Sequence, residues 1–463
     1  MILRKFGAVI GLSILLPLLT PLLSHGSEIP RAAVSSDKHA AQKTVEENEI
    51  TKDVRMGLKA WFEGDTPKAE EIFSQLVENN CENPVPYQAL AIIFSDRHAN
   101  YDRVTELYSR HKVLSAKNMQ SYRDVIDSIR EYAGKGSPQA QLLLARVTGW
   151  GMNGSINTYR SMLLLRRAAD GGYDQAQREL GLLYEDGTGV AKNPGRAAEL
   201  YSAAAAQGDA FAMKYLAVLS LNGSIKRPDK HDAITLLEQA DKAGLPEARL
   251  ILAQIYHNGI GVKRNSAKAF IWFQKAAESG SAEAMTALAR FYENGTGVKK
   301  SSSSALHWYK EAAKRGSHDA LFRLGVLYYT GTHVKTDHAE AFRLFKQSAE
   351  FGNIAAWFNV AFLLKTGDGT AQDLPEAKKW FERSALTGNS RAQLNLGLMF
   401  ANAEGVKEDF EEAYFWFELA RLFGNPDSDK GLQFTGQKLD NAARDRAQRR
   451  AQTTFKQIRK LRP

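Results

Sequence analysis

The sequence lacks most of what disulfide-rich proteins and metalloenzymes need. It has a single cysteine, Cys81, so no intramolecular disulfide can form. A lone cysteine is usually a small buried apolar residue rather than a reactive thiol. Of the ten histidines, His333 and His338 lie close together in one loop around Asp337, but without the spacing of a zinc site. We therefore predict that this segment is an ordinary surface loop that holds no metal ion. We also predict that the protein has no cofactor.

Catalytic patterns are also missing. No nucleophile–base or paired-carboxylate pattern stands out in the sequence, which argues against an enzyme, including one acting on peptidoglycan or β-lactams. Gly187-Thr188-Gly189 and its copies lack the preceding strand and the following Lys-Ser/Thr of a phosphate-binding loop. We therefore interpret them as turns that end helices.

Net positive charge is nearly absent everywhere except at the C-terminus. The net charge is +9, and residues 430–463 carry ten basic side chains against Asp440 and Asp445. The rest of the chain is close to neutral, which argues against nucleic acid as a ligand. The basic segment could contact anionic lipid or polymer, although a charged helix face is more often simply solvated.

What the sequence does contain is a 36-residue unit repeated eight times from Ala140 to Gly424. One alanine and one glycine recur in every copy without a shift in register. The alanines are Ala140, Ala176, Ala212, Ala248, Ala284, Ala320, Ala356 and Ala392, and the glycines are Gly172, Gly208, Gly244, Gly280, Gly316, Gly352, Gly388 and Gly424. A fixed period of this length predicts a solenoid, in which each unit buries its apolar face against its neighbours.

Each unit has the pattern of two helices. Apolar residues at positions 0, 4 and 7 from the alanine predict an amphipathic first helix, and a small residue at position 5 allows close approach of a second. A glycine-rich turn follows. The second helix carries a bulky pair, as in Trp272-Phe273 and Trp380-Phe381, and then small residues before the closing glycine.

This pattern resembles the Sel1-like repeat, a relative of the tetratricopeptide repeat. The resemblance implies an all-α fold: a right-handed α/α solenoid, or superhelix, of antiparallel helix pairs, with eight 36-residue repeats and helical N- and C-terminal caps. Some copies depart from it, and the sixth has His333 in place of the second turn glycine. The single cysteine excludes the cysteine-rich branch in which a disulfide closes each repeat.

The segments outside the array complete the predicted organisation. Residues 1–26 have the basic n-region and apolar run of a signal peptide, with a retained membrane anchor as the alternative. Residues 27–43 are predicted to be a polar linker, 44–136 an irregular tetratricopeptide-like N-terminal cap, 137–427 the repeat array and 428–463 a basic C-terminal capping helix. We expect an exported protein, periplasmic or secreted, without the cysteine needed for lipid attachment.

The ends of the array suggest how the caps form. Gly57, Trp61, Ala69 and Phe73 are typical of one helix pair before the first repeat. After Gly424 the repeat pattern is expected to stop. We predict that Thr435 caps a last helix, whose arginines would point to solvent and whose apolar stripe packs on the eighth repeat. The stripe consists of Leu439, Ala443, Ala447, Ala451, Phe455 and Ile458.

A candidate binding site lies three positions after the repeat alanine. By analogy with tetratricopeptide repeats this position faces the concave surface, and in repeats six to eight it is polar, whereas the flanking residues are aromatic. The polar residues are Arg323, Asn359 and Asn395, and the aromatic ones are Phe322, Trp357, Phe358 and Phe362. An asparagine amide can bind a peptide backbone or a carboxylate. The alternative is that these asparagines only join helices within the fold.

The expected function is a non-enzymatic scaffold of the bacterial periplasm or cell envelope that binds other proteins or peptides on its concave face. Similar repeats build a lipoprotein that supports alginate secretion, so the resemblance also suggests exopolysaccharide export. The alternative is a secreted or surface effector that binds a host protein. A eukaryotic luminal adaptor is a further option that one sequence leaves open.

Overall fold

The computed structural model describes residues 51–79, 85–97, 119–149, 157–225 and 230–461, with a few isolated positions between 81 and 110. In these residues all regular secondary structure is helical and no strand occurs. The predicted signal peptide and linker lie outside them. In the described part of the chain, no helix is both long enough and apolar enough to cross a membrane.

The chain divides into two compact units between Arg264 and Asn265. The helices of the first unit comprise four that precede the array and the pairs of repeats one to three, followed by the first helix of repeat four. They are α1 (51–62), α2 (Thr66–Glu78), α3 (Val85–Arg97), α4 (Met119–Gly134), α5 (Pro138–Gly149), α6 (Thr158–Asp170), α7 (Asp174–Asp186), α8 (Pro194–Ala206), α9 (Ala210–Leu221), α10 (Lys230–Lys242) and α11 (Glu247–Asn258).

The second unit begins with the second helix of repeat four and continues through repeats five to eight to the C-terminus. Its helices are α12 (Ser266–Glu278), α13 (Ala282–Asn294), α14 (Ser302–Lys314), α15 (His318–Thr330), α16 (His338–Glu350), α17 (Ile354–Thr366), α18 (Leu374–Ala385), α19 (Ser390–Ala401), α20 (Phe410–Leu422), α21 (Ser428–Gly436) and α22 (Asn441–Leu461). From α5 to α20, odd-numbered helices are the first of a repeat and even-numbered helices the second.

Polar caps set where the second helices begin. Seven Asn, Ser or Asp residues, spaced by one period or, between Asn193 and Asn265, by two, accept a hydrogen bond from the backbone N–H three residues later, which satisfies a donor of the first turn. They are Asn157, Asn193, Asn265, Ser301, Asp337, Asp373 and Asp409. The first helices mostly end at a left-handed glycine, such as Gly187 with φ 79°. The glycine-rich segments are therefore helix-ending turns, as predicted.

Close packing of the two helices in a repeat depends on the small residue at position 5. A Cβ added to Gly325 would lie 2.8 Å from the Phe345 ring, and one added to Gly397 would lie 2.5 Å from the Phe417 ring. Within each unit, every first helix contacts its own second helix, and that second helix contacts the next first helix. This contact pattern confirms the all-α solenoid; its right-handed sense stays a prediction.

The sixth-repeat turn keeps its shape despite the missing glycine. His333 has φ 67°, so a residue with a Cβ occupies the left-handed region there. In the equivalent turn of repeat seven, a Cβ on Gly369 would collide with the backbone of His338. The histidine is therefore accommodated at a position where this fold favours glycine.

The C-terminal region differs from the prediction in two ways. A short helix that was not predicted, α21, follows Gly424: its Ser428 stands 36 residues after Ala392 of α19, and it contacts both α19 and α20. Its Gly431 lies against the Phe417 ring, as Gly397 does. Thr435 does not cap the last helix: it is buried inside α21 and its hydroxyl donates to the Gly431 carbonyl at 2.7 Å. The cap of α22 is Asp440, which accepts from the Ala443 N–H at 2.7 Å.

Helix α22 packs on α20 through the predicted stripe, in which Ala443, Ala447, Ala451 and Ile458 are buried. Its arginines do not all point away from the protein. Arg446 pairs with Glu411 and Arg450 with Glu412, both at 2.7 Å, and the Arg450 guanidinium lies 3.7 Å from the centre of the Phe415 ring. The predicted outward orientation holds for the exposed Arg449.

Candidate functional site

The six predicted binding residues lie on three successive first helices. Phe322 and Arg323 are on α15, Trp357, Phe358 and Asn359 on α17, and Asn395 on α19, and all six are half-buried. Arg323, Asn359 and Asn395 occupy the same position of consecutive repeats; we call these three side chains the polar row. They differ in what they contact.

Arg323 joins repeat six to repeat five. Its guanidinium donates to Glu293 at the end of α13 at 2.6 Å, and the same carboxylate accepts from the Tyr309 hydroxyl at 2.7 Å. Burial opposes ionisation of Glu293, but the bonds from Arg323 and Tyr309 outweigh it and lower its pKa. Burial and then the bond to Glu293 raise the pKa of Tyr309 to about 12. Arg323 is therefore already engaged by the fold.

The same tyrosine–glutamate pair in repeat two shows what the arginine contributes. Tyr201 donates to Glu185 at 2.8 Å, in the positions of Tyr309 and Glu293. Burial raises the pKa of Glu185, and the Tyr201 bond does not overcome it. In repeat three, Tyr215 occupies the position equivalent to Arg323. Tyr215 carries no positive charge, so it does not offset the burial of the Glu185 carboxylate.

The two asparagines are not equivalent. The Asn395 amide donates to the Arg391 carbonyl of its own helix at 2.9 Å, and Lys365 of α17 lies 3.5 Å from its oxygen. Asn359 has no hydrogen-bond partner among the described residues. The alternative, that the asparagines only form hydrogen bonds within the fold, thus describes Asn395 better. The amide donor and acceptor of Asn359 are not used by the described residues.

The aromatic side chains are anchored by the second helices. Phe322 packs on Phe345, with ring centroids 5.6 Å apart, and Phe358 packs on Phe381 at 5.9 Å. The Trp357 indole N–H donates to the Ala349 carbonyl at 3.3 Å. Gln141 and Gln393, at the same repeat position, likewise donate to a carbonyl eight residues earlier. Trp357 therefore satisfies a helix-end carbonyl.

One row of side chains on this face was recognised only in part from the sequence. Six positions after the repeat alanine, α15, α17, α19 and α21 all carry a large apolar residue; we call Val326, Phe362, Leu398 and Phe434 the apolar row. Phe362, Leu398 and Phe434 are 36%, 37% and 47% exposed. The sequence signal that could have identified this row is the apolar residue at position 6 of successive repeats, continued one period past Gly424.

The first unit uses the corresponding helix positions differently. Arg146 pairs with Glu179 and Arg178 with Asp209, and Lys214 lies 4.0 Å from Glu247. Lys214 is only 3% exposed, and burial lowers its pKa. Charged side chains that join successive repeats fill this face in repeats one to three, so it has fewer groups to offer a ligand.

Among the described residues no group of three or more His, Cys, Asp or Glu side chains could hold a metal ion. His338 bonds to Asp368 at 2.5 Å and stacks on Tyr329, with ring centroids 4.8 Å apart. His338 is therefore held by its own neighbours, and His333 is exposed at the turn.

Taken together, the helix pairs and the face of their first helices define an α-solenoid protein of the helix-pair repeat class. The sequence profile of the Sel1 repeat matches it eight times, over residues 138–173, 174–209, 210–244, 246–281, 282–317, 318–353, 355–389 and 390–421. These matches cover more than half of the chain, which belongs to the Sel1 repeat family. Such proteins typically mediate protein–protein interactions, and their repeat scaffold is generally non-catalytic.

The chain is also similar to solved structures. A Sel1 repeat protein from Oxalobacter formigenes is 32% identical, with a TM-score of 0.54, and the match covers 66% of this chain and 89% of that one. A protective antigen of uropathogenic Escherichia coli with an SLR fold, c5321, is 24% identical, with a TM-score of 0.44 and coverage of 85% and 97%. No curated protein matches the chain significantly.

Proposed function

We propose that this chain is an exported, non-enzymatic scaffold that binds partner proteins on the first helices of repeats six to eight. The observation that carries the proposal is Asn359, a half-buried amide without a hydrogen-bond partner among the described residues, beside the anchored ring of Phe358. A free amide next to a fixed aromatic ring suits a peptide, which needs backbone hydrogen bonds and an apolar contact.

The three residues of the polar row would play different roles in binding. Asn359 provides the main hydrogen bonds, and Asn395 can exchange its weak Lys365 contact for one to the partner. Arg323 keeps its bond to Glu293 and adds positive charge at one end of the row. An extended segment with its carboxylate near Arg323 and apolar side chains on Phe322 and Phe358 fits this arrangement.

Export rests on the leader-like residues 1–26, and the periplasm or cell envelope is the proposed location. N-terminal sequencing of the mature protein should start near Ser27. An intact Met1 on a soluble cytoplasmic protein would contradict export. Exopolysaccharide export and binding to a host protein stay predictions.

The basic helix α22 offers a second, weaker contact. Arg449, Lys456 and Lys460 are exposed and form no ion pair with the described residues. The apolar stripe of α22 is buried on α20. Contact with an anionic polymer or lipid surface would therefore be electrostatic and sensitive to salt.

The experiment is cross-linking in the native source, with a photoreactive residue in place of the exposed Ala355, one helical turn before Asn359 on α17, followed by affinity measurement with the captured protein. Asn359→Ala combined with Asn395→Ala should weaken binding at least tenfold, because each lost bond costs about 1–3 kcal/mol. Asn294→Ala, an exposed asparagine at the end of α13, is the matched control. Unchanged affinity would exclude the polar row, and a large fall in melting temperature would assign the asparagines to the fold.

A further inference from the structure

The apolar row has features of a docking surface. Val326, Phe362, Leu398 and Phe434 sit at the same position of four successive helices within the second unit, α15, α17, α19 and α21. Three of them are more than a third exposed, although a large apolar side chain on a soluble protein is normally buried. Apolar side chains exposed in register, rather than singly, mark an interaction site.

Two of these side chains are held in place by other rings. Phe362 stacks on Phe358 with ring centroids 6.1 Å apart, and Phe434 meets Phe410 edge-on at 5.9 Å. Because these rings are already held in place, little of their side-chain conformational freedom is lost when a partner binds. The row therefore presents fixed apolar contacts.

Positive charge predominates around the row. Helices α17 and α19 contain no aspartate or glutamate at all. Arg391 of α19, Lys430 of α21 and the following Lys438 are exposed and form no ion pair with the described residues. The Lys438 ammonium lies 6.0 Å from the centre of the Phe434 ring, which places a free cation beside the row.

The two nearby carboxylates lie close to cations of their own. Glu404 pairs with Lys365 at 2.9 Å. Asp429 of α21 acts on Arg421 of α20, where it helps to raise the pKa of the guanidinium after the larger effect of Glu418. The cations are therefore left to attract carboxylates from outside the protein.

We infer that the apolar row binds an acidic segment of a partner protein, in which apolar side chains contact Phe362, Leu398 and Phe434 and carboxylates meet Lys430 and Lys438. This inference rests on the proposed scaffold function and adds the chemistry of the partner. A basic or purely polar segment would leave these rings exposed or place like charges together.

The test uses the full chain and two fluorescein-labelled 18-residue peptides by fluorescence anisotropy. Both carry leucines at the spacing of one helix face; the remaining positions are glutamate in one peptide and lysine in the other. The acidic peptide should bind at least tenfold more tightly. Phe362→Ser with Leu398→Ser should weaken it at least tenfold, and Lys430→Glu with Lys438→Glu should abolish the preference for the acidic peptide.

The control is Ile271→Ser on α12, because Ile271 is 52% exposed but lies on a second helix. Equal binding of both peptides, or an equal loss with Ile271→Ser, would overturn the inference. All altered side chains are exposed. If the serine variant unfolds, the charge-reversal variant still tests the inference, because it leaves the apolar row unchanged. If a native protein cross-links at position 355 while the acidic peptide fails to bind, the inferred chemistry is wrong and the scaffold function stands. If no protein cross-links there, the scaffold function itself fails.

Discussion

Gly316 allows the left-handed glycines that separate the repeats to be tested one at a time. It follows α14 with φ 81°, and no heavy atom lies within 4 Å of the place where a Cβ would be added. The backbone bond from Ser317 N–H to the Ala312 carbonyl, 3.0 Å long, closes the helix around it. Gly316→Ala therefore introduces no collision and costs only the backbone conformation, about 1–2 kcal/mol.

Hydrogen exchange measures the effect and its reach. A loss of this size should accelerate exchange about 5–30-fold in α14 and α15, and in a nearest-neighbour array protection in α20 should change little. Gly316→Asn is the matched control, since asparagine enters the left-handed region more readily than alanine and should lose less. Equal losses for alanine and asparagine would refute the conformational argument. A uniform loss along the second unit would refute the nearest-neighbour description.

Two further predictions concern repeats five and six. His333→Gly should raise the unfolding free energy by about 1 kcal/mol, because glycine removes the left-handed strain at φ 67°; a lower melting temperature would contradict this. Glu293→Gln should destabilise the protein most at neutral pH. The lowered pKa of Glu293 gives stability that is present above its unfolded pKa of about 4.3 and is lost as pH falls through the folded value. Denaturation of wild type and variant over a pH series tests this, and a difference that persists below pH 3 would exclude the Arg323–Glu293 interaction as its source.

The 36-residue period predicted much of the fold because the information is local. The alanine at position 0, the small residue at position 5 and the closing glycine each act within one helix pair, so Gly325 against Phe345 and the positive φ of Gly316 follow from the repeat itself. Helix α21 was missed because it keeps the period without the alanine that marks it: Ser428 stands at that position.

The candidate site was predicted less completely, since its character depends on which neighbour each side chain reaches. The sequence by itself determined that Arg323, Asn359 and Asn395 share one repeat position. Only the tertiary structure decided that Arg323 reaches across to Glu293, that Asn395 bonds to its own helix and that Asn359 stays unengaged. Thr435 lies inside α21 rather than before the last helix, and its hydroxyl bonds to the carbonyl four residues earlier, which is the local acceptor that the helix provides.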